Sequence, residues 1–336
     1  MKVLYKFLAA VAMVILFAAC HENSVEQLPR DEALKVLDQK IKQDSKNADL
    51  YYQRGSLLIA LGREEKQSSR FKEAIEDLLK ATSLDDKKIE YHTALADAYF
   101  AIGDVSNSYS TLQKALKLDE KNIETNLKMA EIAYSSKNFE RAMESLNIVT
   151  EQDKDNRTAL FMKGRIYVGN NDTTNAVIHF RHLIELYPDF APAYEELGML
   201  YSGNGNKLGI EYLNTALRLE PKNINVLYAL AQTYQDAEEA DIANEYYVKM
   251  LEIDPQNKFA WFNRGRLELE LYEDYEAAVE FFTKAIDSDP NFAEAHYNRG
   301  LSYEMMGDKT HAEACYATAQ NLGFDKAENE KMKVKH

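Results

Sequence analysis

Cysteine, proline and glycine are all scarce: the 336 residues hold 2 Cys, 6 Pro and 13 Gly. Two cysteines allow one disulfide at most, so covalent cross-links cannot carry the fold. So little proline and glycine excludes collagen-like sequence and long disordered stretches, and it favours helices. Positive charge is also short, with 40 Lys+Arg against 55 Asp+Glu and a net charge of -15. That balance opposes generic binding to nucleic acid or to an anionic lipid surface and favours a cationic or neutral partner. Nor does the apolar run from Phe7 to Ala19, thirteen residues long, reach the roughly 20 needed to span a bilayer. What is present is a chain that is 46% hydrophobic and 28% charged, which suits a folded helical protein. At about 150 residues per domain its length suggests two domains, a prior that fails for repeat arrays.

The first twenty residues read as a targeting segment. Lys2 and Lys6 form a basic start, the apolar run follows, and Phe17-Ala18-Ala19-Cys20 places small residues before a cysteine. This resembles the lipobox of bacterial lipoprotein signal peptides, with Phe17 where Leu is usual. The resemblance implies cleavage before Cys20, lipidation of its thiol and acylation of its new amino group, which gives the multiple chains that stable membrane attachment requires. Loss of Lys2 and Lys6 leaves 38 basic and 55 acidic residues, a mature balance of -17. Cys315 is then the one unmodified cysteine, so stability must come from packing. His21 stands where some lipoproteins carry an Asp that retains them at the inner membrane, which favours sorting to the outer membrane.

A repeat of about 34 residues runs through the remainder. Gly55, Ala96, Ala130, Gly164, Gly198, Ala231, Gly265 and Gly300 recur in one register, and all are small. A second small position follows at Ala74, Ser108, Ala142, Ala176, Gly209, Ala243, Ala278 and Ala312. Larger apolar residues such as Leu78, Phe180 and Phe282 fall between, while Pro188, Pro221, Pro255 and Pro290 end four of the units. Small residues let two antiparallel helices approach, large ones fill the space between them, and proline stops the second helix. Each unit therefore reads as a helical hairpin.

This pattern, with Trp261-Phe-Asn-Arg-Gly265 and His296-Tyr-Asn-Arg-Gly300, resembles the tetratricopeptide-repeat family. The resemblance implies an all-α fold, a right-handed α-solenoid superhelix of antiparallel hairpins. Eight units are expected at 48–88, 89–122, 123–156, 157–190, 191–223, 224–257, 258–292 and 293–326. The first carries seven extra residues near Arg63 to Ser69, the fifth lacks one around Gly203 to Gly209, and the seventh gains one near Leu271 to Ala277. These irregularities are expected at the hairpin turns, and Leu267 to Leu271, although it alternates like a strand, is expected to be helical. Residues 1–19 are the signal, 20–28 the lipid-anchored tether, 29–47 a capping helix with Ala33 and Leu37 at its core positions, and 327–336 a polar tail.

Little in the sequence promises chemistry. His179 and His182 share a helix face with Glu185 beyond, but two histidines make no metal site. Gly203 to Gly209 with Lys207 lacks the order of a phosphate-binding loop and follows no strand, so it reads as a turn. Cys315 has no matching His or Asn motif and reads as a buried structural thiol. Asp274, Glu276 and Glu280 lack calcium-loop spacing. No enzyme activity, metal or cofactor is expected.

The resemblance implies a concave groove lined by positions 2, 5, 6, 9, 12 and 13 of each first helix. Those positions carry eleven acids, from Asp49 to Glu304, against the three bases Lys128, Arg165 and Arg266. They also carry aromatics, among them Tyr52, Phe100, Tyr134, Phe161 and Tyr228. The last two units concentrate Phe259, Phe262, Asn263, Arg266, Glu294, Tyr297, Asn298 and Glu304, and a partner-binding hot spot is expected there. The family's basic clamp on a terminal carboxylate is missing, since position 5 holds no Lys. The expected function is a non-enzymatic scaffold or adaptor, anchored at a bacterial envelope, that binds a basic and apolar peptide or helix of a partner protein. The alternative is a surface module for an external glycan or host protein.

Overall fold

In the computed structural model of the chain, residues 28–202 and 206–325 are described. Cys20, the signal segment and the tail beyond Asp325 lie outside them. The described residues form seventeen α-helices and no strand. The chain divides into two compact units, Met1–Ile166 and Tyr167–His336. In the first are α1 (Arg30–Gln43), α2 (Ala48–Glu65), α3 (Ser68–Leu84), α4 (Ile89–Ala101), α5 (Val105–Leu118), α6 (Ile123–Ser135) and α7 (Phe139–Gln152). The division falls inside α8 (Arg157–Gly169). The second unit continues with α9 (Thr173–Leu186), α10 (Ala191–Tyr201), α11 (Lys207–Leu219), α12 (Ile224–Asp236) and α13 (Ala240–Ile253). It is completed by α14 (Lys258–Leu267), α15 (Tyr275–Ser288), α16 (Ala293–Met305) and α17 (Lys309–Asn321).

In each unit the densest contacts join successive helices in pairs: α2 with α3, α4 with α5 and α6 with α7 in one, α10 with α11 through α16 with α17 in the other. Each pair also packs on the next, and the first helices α2, α4 and α6 touch in a row. This all-α stacking of hairpins in chain order is that of an α-solenoid.

Local sequence explains where the helices begin and turn. Asn122, Asn138, Asp172, Asn223, Asn257 and Asp308 stand at N-caps, each side chain accepting a backbone N–H of the first turn. Hairpin turns place one residue in left-handed backbone: Lys66, Gly103, Lys137, Asn171, Glu238, Glu273 and Gly307. Glycine fills two of these seven places, so the others hold a conformation that costs a side-chain-bearing residue roughly 1 kcal/mol.

The repeating small residues act as read. A Cβ on Gly265 would lie 2.8 Å from a ring carbon of Phe282, and one on Gly198 would lie 2.5 Å from Leu213 Cγ. Leu78, Leu146, Phe180, Leu213, Tyr247 and Phe282 are wholly buried, each contributing about 1.5–3 kcal/mol through removal from water. Cys315 is also buried.

Two irregularities differ from expectation. The additional residues of the first hairpin are not a loop: α2 and α3 extend to 18 and 17 residues, because Leu58, Ile59, Leu61 and Phe71 continue the buried stripe. The extra residue of the seventh unit is taken up inside the first helix of its hairpin, where Glu268–Tyr272 forms a π-turn. One added residue then costs a local widening instead of a break in the register.

At the N-terminal end α1 buries Ala33, Leu37 and Ile41 and packs on α2. Arg54 ties the two to the next helix. Its guanidinium donates twice to the buried Asp77, at 2.7 and 2.6 Å, and once to Asp38 of α1 at 2.6 Å.

Candidate partner-binding site

The hot-spot residues of the sequence fall into two groups in the second unit. In the first, Phe259 and Phe262 both meet Phe292, with ring centroids 5.9 and 4.9 Å away. Phe259 is half exposed, stands edge-on to Tyr228, and carries Lys258 Nζ over its ring at 5.0 Å. Phe262 turns inward onto Phe282 at 5.6 Å, so much of its surface supports the hairpin. Asn263 is buried and donates to the Phe259 carbonyl at 2.9 Å, which commits its amide to its own helix. Arg266 forms a two-pronged pair with Glu270 at 2.9 and 2.7 Å. Burial opposes the Arg266 charge, but Glu270 outweighs it and the pKa is raised.

In the second group Tyr297 stacks on Phe324 at 4.5 Å and meets Tyr316 at 5.2 Å. Tyr316 donates its hydroxyl to Glu304 at 2.5 Å. Burial raises the Tyr316 phenol and the Glu304 carboxylate raises it further, so the proton stays on the phenol. Tyr297, Leu301, Glu304, Tyr316, Gln320, Phe324 and Asp325 line a pocket of about 640 Å³. Glu294 is exposed, and Asn298 donates to its backbone carbonyl at 2.8 Å.

The first unit holds a second, smaller pocket of about 390 Å³ between α6 and α8, lined by Leu127, Tyr134, Thr158, Phe161 and Met162 with Glu124, Lys128, Glu131 and Arg165 around them. Arg165 lies over the Tyr134 ring at 5.1 Å. Lys128 bonds Asp97 at 2.9 Å, and Asp97 also accepts from Arg63 at 2.6 Å. Burial works against the Lys128 charge, yet Asp97 outweighs it and raises the pKa. Several acids of the first-helix surface are thus already partnered: Asp97, Glu270 and Glu304 as described, Asp49 by the Tyr91 hydroxyl, and Glu195 by Asn223 at 3.0 Å.

Thr158 and Met162 also occupy groove positions but carry neither a charge nor an aromatic ring, so the sequence alone does not single them out. Tyr316 occupies the large apolar position of the last unit and Phe324 lies near that unit's end, so neither stands out in the sequence as a contact residue. The repeat register places Thr158 and Met162 on a groove face, whereas it puts Phe324 only at the unit-ending position after the last helix and does not foretell its stacking on Tyr297. As for the histidines, His179 packs edge-on to Tyr167 at 4.9 Å while His182 faces Glu185 at 4.0 Å. No cluster of three metal-ligating side chains occurs among the described residues, and no described helix is long and apolar enough to cross a membrane.

Family models described as tetratricopeptide repeat match residues 48–88, 158–190, 224–257 and 293–322, and another of that description matches 100–166. A model described as TPR repeat matches 273–307. The chain belongs to the tetratricopeptide-repeat family, a class of repeats that in general act as non-catalytic protein-interaction scaffolds. No curated protein matches it significantly. Among solved structures it is similar to the C-terminal part of a TPR repeat-containing protein from Cytophaga hutchinsonii, at 18% identity over 72% of this chain and 98% of that one, with a TM-score of 0.56. It is also similar to the human IFIT1 dimer solved with m7Gppp-AAAA, at 14% identity over 88% of this chain and 78% of that one, with a TM-score of 0.54. At these identities the likeness is one of fold.

Proposed function

We propose that the chain is a non-enzymatic scaffold, held at a bacterial cell envelope by lipid on Cys20, that grips a basic and apolar segment of a partner protein. The observation that carries this is the composition of the pocket at α16 and α17, where the rings of Tyr297, Tyr316 and Phe324 surround a space rimmed by Glu304 and Asp325, with no cation among the described residues that line it. Aromatic area supplies burial and the carboxylates select for charge. The exposed ring of Phe259, with Tyr228 beside it, extends the same kind of surface within that unit. The lipobox resemblance supports the anchor, and His21 supports an outer-membrane address.

Co-purification of the membrane-extracted protein identifies the partner, and its binding kinetics are then measured at two salt concentrations. Tyr297→Ala is expected to weaken binding by about 2 kcal/mol or more, as for a buried anchor. Glu304→Lys is expected to slow association and flatten its salt dependence. Unchanged binding in both folded variants would place the working surface elsewhere. For the anchor, Cys20→Ser should move the protein out of the membrane fraction, and a variant that stays as membrane-bound as the parent would remove that part of the reading.

A further inference from the structure

The acidic, aromatic pocket at α16 and α17 has a candidate occupant in the chain itself. Phe324 and Asp325, which line the pocket, lead directly into residues 326–336. That stretch ends in Lys331-Met332-Lys333-Val334-Lys335-His336, a run with no acid in a protein whose net charge is -15. Alternation of lysine with Met and Val is the chemistry the pocket fits, since Glu304 and Asp325 can meet ammonium groups while Tyr297, Tyr316 and Phe324 take an apolar side chain. Resting on the proposed function, we infer that residues 331–336 occupy this pocket as an intramolecular pseudo-ligand, so that an external partner binds by displacing them.

Reach and concentration both permit it. Residues 326–330 span at most about 17 Å when extended, and their starting point is already at the rim. A link of five residues holds its end at an effective concentration on the order of 1 mM. If the free segment binds with a dissociation constant of about 100 µM, the pocket is occupied roughly ten parts to one, and an external ligand binds about tenfold more weakly than to the vacated pocket. Before that run, Lys326 is outweighed by Glu328 and Glu330, so charge favouring the pocket is concentrated in residues 331–336.

The test uses the full chain, a variant ending at Asp325, and a full-length variant carrying Lys331→Glu, Lys333→Glu and Lys335→Glu, which keeps length and apolar residues. The probe is a fluorescent synthetic peptide of residues 326–336, followed by anisotropy, with a peptide of alternating Lys and Leu as a second ligand. The expected result is that both altered chains bind the 326–336 peptide about tenfold more tightly than the full chain does, and that Glu304→Lys in the shortened chain removes the gain. Equal binding by all three chains would overturn the inference. If the shortened chain binds the Lys-Leu peptide but not the 326–336 peptide, the inference falls while the groove reading stands. If it binds neither, the groove reading itself falls. A concentration-dependent dimer of the full chain that the shortened chain does not form would show the segment seated on a second copy, which also overturns the intramolecular assignment.

Discussion

Replacing Arg54 with methionine tests how the N-terminal helix is held to the array. Arg54 is the one cation that serves both Asp77 and Asp38 among the described pairs, joining α2 to α3 and α1. Asp77 keeps only 8% of its side chain exposed, Asp38 keeps 49%, and Arg54 24%. Removing one partner of a fully buried pair costs about 3–5 kcal/mol, because the remaining charge is stranded. Water reaches a quarter of Arg54 and half of Asp38, so only the Asp77 half of the interaction approaches that figure, and the expected loss is about 2 kcal/mol. Methionine preserves most of the packing of the arginine stem, which isolates the charge. Because a unit of this size shifts by about 2–4 °C per kcal/mol, the first unfolding transition should fall by roughly 4–8 °C. Arg63→Met is the control: Arg63 is 54% exposed, and its partner Asp97, although only 13% exposed, keeps Lys128 at 2.9 Å, so no charge is stranded and the expected loss is about 0–1 kcal/mol. The assay is thermal and urea unfolding of all variants, with hydrogen exchange across residues 30–84 to localise the loss. Equal losses for Arg54→Met and Arg63→Met, or a loss below about 0.5 kcal/mol for the first, would refute the reasoning that burial of Asp77 sets the magnitude.

Three further outcomes follow from backbone and charge. Gly209→Ala should destabilise by about 1–2 kcal/mol in urea unfolding despite alanine's better helix propensity, because its Cβ would meet the Ser202 and Tyr201 backbone at 2.8 Å. Lys137→Gly should stabilise by about 0.5–1 kcal/mol in the same assay, since Lys137 is exposed and sits at φ 56°. Glu268→Gln should stabilise at neutral pH and do nothing near pH 4: burial, aided by Asp274, raises the Glu268 pKa, so the native state favours the protonated form and loses stability as pH rises through that pKa. Unfolding curves at the two pH values check the sign.

The repeat itself was legible in the sequence. Small residues at one register position and large apolar ones at another are requirements of two helices in close contact, and Gly265 against Phe282 and Gly198 against Leu213 meet them as read. Helix starts were equally local, because an Asn or Asp that caps the first turn acts within three residues of its own position. The resemblance to the tetratricopeptide family rested on that register and on Trp261 to Gly265 and His296 to Gly300, and the matching family models show membership.

Only the tertiary structure decided what the surface residues do. Phe262, Asn263 and Arg266 look alike as candidate contacts along a first helix, yet one packs on Phe282, one bonds its own backbone and one pairs with Glu270. Counting acids could not reveal that Asp97 lies between Arg63 and Lys128, or that Tyr316 donates to Glu304, since those partners are separated by a helix or a whole repeat. The pocket around Tyr297 needs Phe324 from beyond the last helix, at a register position where Pro188 and Pro255 merely end their units. Periodicity determines which side of a helix faces inward, because that choice repeats every turn. The pairing of charges and the closure of pockets depend on which residues of different elements come within a few ångströms, and only the packed chain sets that distance.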